Sequence, residues 1–317
     1  MCIIYIVSAD EFYRHYRNAM AKSKVVLVSS KSLYSNGRPD SARLGVMLSR
    51  GMSLLHDGAD AKEIWKKLAR DTGRLGLKPN CMGGRNMSTA VELATALVGH
   101  LVSAGKDDND IVIWEMSSRK LESAGYELNV GHSGLKCYGT DTRGVGYGTL
   151  FHSKGEVASL VTRIVESHCD HLINLPILKD HSLAGVAGAM KNYYGVVHNP
   201  NKYHEQNCDP YVAEINALPV VKNKNVLTIM DMTRMQYQGG PGYRGEYAVK
   251  FGAIMMSTDP VAIDAVGEGI INDYRTRNNL PTLAESGRPP KWLATAEKMG
   301  LGVADMNNIN LIEATID

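Results

Sequence analysis

The sequence predicts an α/β fold: a largely parallel sheet flanked by helices in Rossmann-like layers, with two lobes (about 1–150 and 151–317) as an option within one 1–317 domain. Two observations carry this. Short apolar runs alternate with helix-like stretches along the chain, the pattern of strands joined by crossover helices. The helix-like stretches also carry capping residues and glycine stops. At 317 residues, 44% hydrophobic and 21% charged, the chain can bury one large core or two smaller ones.

The elements follow in order. Met1–Phe12 is apolar for about nine residues and lacks a basic leading segment, so it reads as a first strand rather than a signal peptide. Lys24–Ser30 is a strand. Ala61–Gly73 is a helix with a glycine stop, and Arg74–Asn80 a strand ending at Pro79. Ser88–Gly105 is a long helix with Ser88 as its N-cap. Asp110–Glu115 is a strand and Ser117–Gly125 a short helix. Lys136–Gly155 is polar and glycine-rich, a loop between halves. Glu156–His168 is helical and His171–Leu178 a strand. Asp209–Pro219 is a short helix; Asn225–Asp231 and Phe251–Thr258 are strands. Asp259–Arg275 is a helix with Asp at the N-cap and Pro at N1.

Charge narrows the function. Lys plus Arg (35) nearly balances Asp plus Glu (33), leaving +2, so nothing global points to nucleic acid or an anionic membrane. No apolar run approaches a membrane span. The five cysteines are widely spaced without C-x-x-C, which excludes a disulfide framework, a zinc ribbon and an iron–sulfur loop.

In open α/β sheets ligands collect beyond the carboxyl ends of the strands. Lys78 and Asn80, Lys179 and His181, Asp231, and Asp259 all follow strands and should share one edge, although Asp259 is equally an N-cap. A helix from Ser182 to Tyr194 would place His181, Gly185, Gly188 and Asn192 on one side, with bare backbone for a ligand, and Lys191 at its end. His204, Cys208 and Asp209 lie in an Asn/Pro-rich loop and are the right donor types for a transition metal, at spacings that match no standard site. The loop around Gly239 and Gly240 can lie flat over a ligand. No P-loop, dinucleotide fingerprint, G-x-S-x-G or H-E-x-x-H occurs.

"LGLKPN", "INLPILKDHSLAGVAGAMKNYYGVVH", "TIMDMTRMQYQGGPG" and "MMSTDPVAIDAVG" resemble the successive blocks of the domain of unknown function 362 family. Lys191–Gly195 and Asp259–Asp264 are its most specific stretches. The chain resembles a branch whose members often carry a twin-arginine export leader, and some relatives fuse a module with two four-iron clusters. This sequence shows neither, so the expected compartment is the cytoplasm, or the periplasm if the true start lies upstream. A more distant likeness is to lactate racemase, a nickel-pincer enzyme, which implies lysine and histidines that hold a cofactor and move a proton.

The expected function is an enzyme acting on a small anionic organic substrate by proton transfer or redox chemistry. Lys179, His181, Lys191 and His198 form the catalytic set. Lys78, Asn80, Asn192, Asp231, Gly239, Gly240 and Asp259 bind substrate, and His204, Cys208 and Asp209 form a candidate metal site. The alternatives are a binding protein for a small anion and a subunit that docks a redox partner.

Overall fold

β1 (Ser23–Ser30) shows how the molecule is layered. Val25 and Leu27 point into one apolar core and Val26 and Val28 into another, the two-residue alternation of a strand covered on both faces. The computed structural model describes residues 22–317; the strand expected at Met1–Phe12 lies outside the described residues.

The chain continues through a small ribbon, β2 (Tyr34–Ser35) and β3 (Arg38–Pro39), to α1 (Ser41–Leu55), α2 (Ala61–Asp71), β4 (Leu75–Pro79), α3 (Val91–Ser103), β5 (Ile111–Glu115), α4 (Ser118–Ala124) and β6 (Lys136–Gly139). The hairpin β7 (Tyr147–Lys154) and β8 (Val157–Thr162) leads to β9 (His171–Leu175), β10 (Ile177–His181) and β11 (Gly185–Ala187). Then come α5 (Ala189–Asn192), α6 (Tyr211–Ala217), α7 (Pro219–Lys222), β12 (Asn225–Gln236), β13 (Ala248–Ser257), α8 (Pro260–Arg277), α9 (Trp292–Lys298) and β14 (Ile309–Ile316).

Ten strands form one sheet along the path β14-β1-β13-β12-β9-β4-β5-β6, with β10 and β11 branching from β12. On the path only β13 is antiparallel to its neighbours. Helices α1–α4 pack on one face and α5–α9 on the other. The expected α/β fold is therefore present. The two halves expected as lobes share this sheet, since β4 pairs with β9 and β1 with β13.

Several local expectations are corrected. Glu156–His168 is not one helix. Val157–Thr162 is a strand with alternating burial, paired with β7, and only Ile164–His168 closes a wide π-turn. Its β-branched Val157, Val161 and Thr162 favour the pleated state. Lys136–Gly155 is not a loop throughout, because β6 and β7 lie in it. Ser182–Tyr194 is not a helix either. The chain hairpins from β10 into β11 and turns helical only at Ala189. Gly185 sits at φ +76°, a left-handed conformation that no helix continues through. Ser88 does not cap α3. Ala90 is its N-cap residue, and the Asp231 carboxylate accepts the Ala90 amide from β12 at 2.7 Å.

Candidate functional site

The carboxyl ends of β4, β5 and β10 meet around a cavity of about 350 Å³, whose walls include Lys179, Lys191, His181, His204, Asn80 and Asn192. The ridge between the strands is built from buried amides. Asn174 on β9 donates to the Ala189 carbonyl at 2.7 Å. Asn192 donates to Asn174 Oδ1 at 2.8 Å and to the Lys78 carbonyl at 2.9 Å. Asn80 donates to Asn192 Oδ1 at 3.2 Å and turns its own oxygen to Lys179 Nζ, also at 3.2 Å. This ladder fixes the turn after β11 against the end of β4.

Asp264 on α8 anchors the same turn from behind. It is fully buried and accepts the Ala189 and Met190 amides at 2.6 and 2.9 Å. A Cβ on Gly188 would collide with that carboxylate. The glycine is thus required by a close approach and not by a helix face. The two most specific sequence blocks, Lys191–Gly195 and Asp259–Asp264, thereby belong to one assembly. Burial raises the Asp264 carboxyl to about 7, against its two amide donors.

Three buried lysines stand at this edge. Lys78 Nζ meets Glu115 Oε1 at 2.8 Å and the Pro79 carbonyl at 2.8 Å, and a Cβ on Gly195 would lie 3.0 Å from its Cε. Lys179, with no exposed surface, reaches only neutral oxygens: Asn80 Oδ1 and the Met87 carbonyl, each at 3.2 Å. Burial pushes its ammonium down to about 8. Lys191, 8% exposed, lies over the Tyr194 ring at 3.2 Å from its centroid and 3.0 Å from His204 Nε2. Burial pushes it down to about 7. Among the described residues neither Lys179 nor Lys191 forms an ion pair.

Hydrogen bonds set the two imidazoles. His181 Nδ1 accepts the Leu183 and Ala184 amides at 3.1 and 3.2 Å, so its ring proton sits on Nε2. Burial, then Lys191 and His204, push this histidine down to about 3, and it stays neutral. His204 Nδ1 faces the Pro200 and Asn201 carbonyls at 3.1 and 3.3 Å, which requires Nδ1–H and leaves the Nε2 lone pair toward Lys191. Burial and Lys191 lower His204 as well. The rings stack at 6.0 Å, so one wall presents a fixed N–H donor beside an amine–imidazole pair.

The other expected site residues fall elsewhere. His198 is exposed, its ring edge-on to Tyr147 at 4.9 Å in a neighbouring groove. Asp231 is buried mid-strand, spent on the Ala90 and Thr233 amides at 2.7 Å each. Asp259 follows antiparallel β13 and so lies at the opposite edge of the sheet. There it caps α8 through the Val261 and Ala262 amides and accepts Ser23 Oγ. Gly240 packs flush on the Asp180 backbone, and its amide meets Asp180 Oδ2 at 3.0 Å. This brings the neighbouring Pro241 to the cavity, while Gly239 lies against Arg244.

His204, Cys208 and Asp209 do not converge. Among the described residues no three His, Cys, Asp or Glu side chains are placed to hold a metal ion. Among the described residues Cys81, Cys137, Cys169 and Cys208 are buried and free, and no three of them gather as a four-iron cluster requires. Sequence reasoning missed Glu115, Asn174 and Asp264. Each was a polar residue inside an otherwise apolar run.

A second cavity of about 400 Å³ lies at the start of α3, lined by Arg38, Arg85, Arg234 and Glu92. Arg38 and Arg85 are solvent-exposed, so their charges already have water. The lysine cavity is where charge lacks a partner. Among the described residues no helix is long and apolar enough to cross a membrane.

No curated protein matches the chain. One solved structure similar to it is the crystal structure of a Thermotoga maritima protein, 11% identical with a TM-score of 0.34. The match covers 75% of this chain and 58% of that one, so the chain spans less than two thirds of its length. The family model "Domain of unknown function (DUF362)" matches residues 75–268, from β4 into α8 and so through the whole lysine cavity, and the chain belongs to that family.

Proposed function

We propose that the protein is an enzyme that holds a small anionic organic molecule in the lysine cavity and moves a proton on it. One observation carries this: two lysines, more than nine-tenths buried and without carboxylate partners among the described residues, face one cavity. A buried, unpaired ammonium is costly, and a bound carboxylate or phosphate removes the cost.

The geometry supports the following roles. Lys179 supplies charge to the anion, its position fixed by Asn80 and the Met87 carbonyl. Neutral His181 offers Nε2–H to a substrate oxygen. Lys191, near 7, and His204 Nε2 exchange a proton close to neutral pH, where a general acid–base group works best. These nitrogen bases and amides suit proton transfer; a redox reaction would draw its electrons from a partner or cofactor.

Binding is tested by thermal unfolding with oxalate and inorganic phosphate at pH 7. At least one should raise the melting temperature of the wild type and not of Lys179→Met. Equal shifts in both proteins, or none in either, reject the anion site. Proton transfer is tested by incubating small organic acids with the protein in heavy water, where loss of a substrate C–H signal by NMR marks turnover. Binding without exchange would leave the chain as a carrier of such anions.

A further inference from the structure

The two unpaired lysines are not equivalent, and the difference narrows the substrate class. Lys179 directs its N–H groups at two carbonyl-type oxygens, which hold it as an ammonium ion. Lys191 has no oxygen acceptor among the described hydrogen bonds. Its nitrogen contacts an imidazole lone pair and an aromatic face at the cavity wall. A buried lysine beside a base and short of carboxylates is placed as a nucleophilic amine.

We infer that Lys191 forms an imine with a small carboxylate that also bears an aldehyde or ketone, the carboxylate lying toward Lys179 and the carbonyl oxygen toward His181 Nε2–H. This rests on the anion-binding role of the same cavity. The Lys191 lone pair attacks the carbonyl carbon, and the C=O π pair moves to oxygen. His204 Nε2 takes the proton lost from nitrogen and returns it to that oxygen. A second proton, taken up from solvent by His204 Nε2, converts the resulting hydroxyl to water, which leaves as the nitrogen lone pair closes the C=N bond of the protonated imine, with no net oxidation. The Tyr194 face favours a cation, which serves the protonated imine as well as the ammonium. The low proton affinity that burial gives Lys191 leaves a large share of free amine at neutral pH.

The test uses the intact protein with glyoxylate and cyanoborohydride at pH 7. Hydride adds to the imine carbon and fixes a carboxymethyl group on the lysine that formed it, which peptide mass spectrometry locates. The expected result is labelling of Lys191 at least ten-fold faster than exposed lysines such as Lys62, suppressed by oxalate and absent from Lys191→Arg. An adduct on Lys179 instead, or no preference over Lys62, overturns the imine. If oxalate still raises the melting temperature in that case, the anion site stands and only the imine falls. If neither oxalate nor phosphate has an effect and no adduct forms, both fall. Should Lys191→Arg fail to fold, the site and rate of wild-type labelling still decide.

Discussion

Lys78 and Lys179 are both fully buried at the same edge of the sheet, yet their surroundings differ in kind. Lys78 is closed by Glu115 at 2.8 Å and lies 5.3 Å from the Trp114 ring centroid. Lys179 meets two neutral oxygens and opens on a cavity. A buried charge with its counter-charge in the same chain is complete, and its role is to hold β4 to β5. A buried charge held only by dipoles is incomplete until something arrives. The carboxylates belong with Lys78: buried Asp231 and Asp264, and half-buried Asp259, each accept hydrogen bonds from backbone amides.

The largest expected effect comes from opening the closed pair. Glu115→Ala leaves Lys78 charged and unpartnered in the interior, and removing one partner of a buried pair costs about 3–5 kcal/mol. Urea unfolding measures it. A loss under about 1 kcal/mol would mean that Lys78 reaches water or another anion, and the contrast with Lys179 would collapse. Asp264→Ala comes next, at about 3 kcal/mol, because the Ala189 and Met190 amides lose their acceptor. It should also lower anion affinity, since the turn that carries Lys191 is released.

Lys179→Met sharpens the comparison from the other side. Removing an unpaired charge relieves desolvation, while Asn80 and the Met87 carbonyl each lose a donor worth about 1 kcal/mol. The two nearly cancel, so unfolding stability should stay within about 1 kcal/mol of wild type. Anion affinity should fall at least ten-fold, equivalent to about 1.4 kcal/mol. Calorimetry against the same anion checks this, and a collapse of stability instead would make Lys179 structural.

These contrasts also show which parts were legible in sequence. Strands buried on both faces announce themselves as apolar runs, so β1, β4, β5, β9, β12 and β13 were readable. α1 went unread although Leu44, Met47, Leu48, Met52 and Leu55 keep helical spacing. Its Gly51 reads as a helix fault, but a Cβ there would strike Met256 on the sheet. The Ser182–Tyr194 stretch was misread because its glycines answer to neighbours distant in sequence, Asp264 and the chain near Arg288. Lys179, His181 and Asn80 were singled out by their chemistry and their place after strands, Lys191 and Asn192 on a Ser182–Tyr194 helix that does not form, and all five line one cavity. Their partners were not singled out, because only pairing order brings Glu115 beside Lys78. Asp259 was misplaced for the same reason: no local pattern marks β13 as the antiparallel strand.

The open lysines should also write themselves into pH dependence. A base whose folded pKa is lowered is under-protonated in the native state relative to the unfolded one, so stability rises with pH between the two values. For Lys191 the window opens near 7 and for Lys179 near 8. Below it, His181, lowered to about 3, gives a rise from there to about 6.5, while Asp264, raised to about 7, gives a fall over about 4–7. Above about 8.5 the thiols Cys137 and Cys169, pushed up to about 12 by burial, act against the lysines. The ligand-free protein should therefore gain stability from pH 7 to about 8.5. The gain should flatten in Lys191→Met and with a saturating anion, which keeps the ammonium charged. An unchanged slope in both would show that Lys191 keeps its proton in the empty cavity.

The smallest effect is expected at His198, whose type and position in the sequence placed it in the catalytic set. Its main chain is tied down, the amide to the Leu160 carbonyl at 3.0 Å and the carbonyl to Ser159 Oγ at 3.0 Å. Its ring is exposed and makes one edge contact with Tyr147, an interaction worth about 0.5–1.5 kcal/mol at most and less when solvated. No wall of the lysine cavity includes it. His198→Ala should change stability by less than about 1 kcal/mol and anion affinity by less than two-fold, because its ring lies in water, outside the cavity walls, where fields are screened. A ten-fold loss of binding would mean that the ligand extends past Met116 into the groove beside Tyr147, since Met116 lines both spaces. The occupied site would then join a buried, incomplete half to an exposed one, and His198 would regain the catalytic place its sequence position implied.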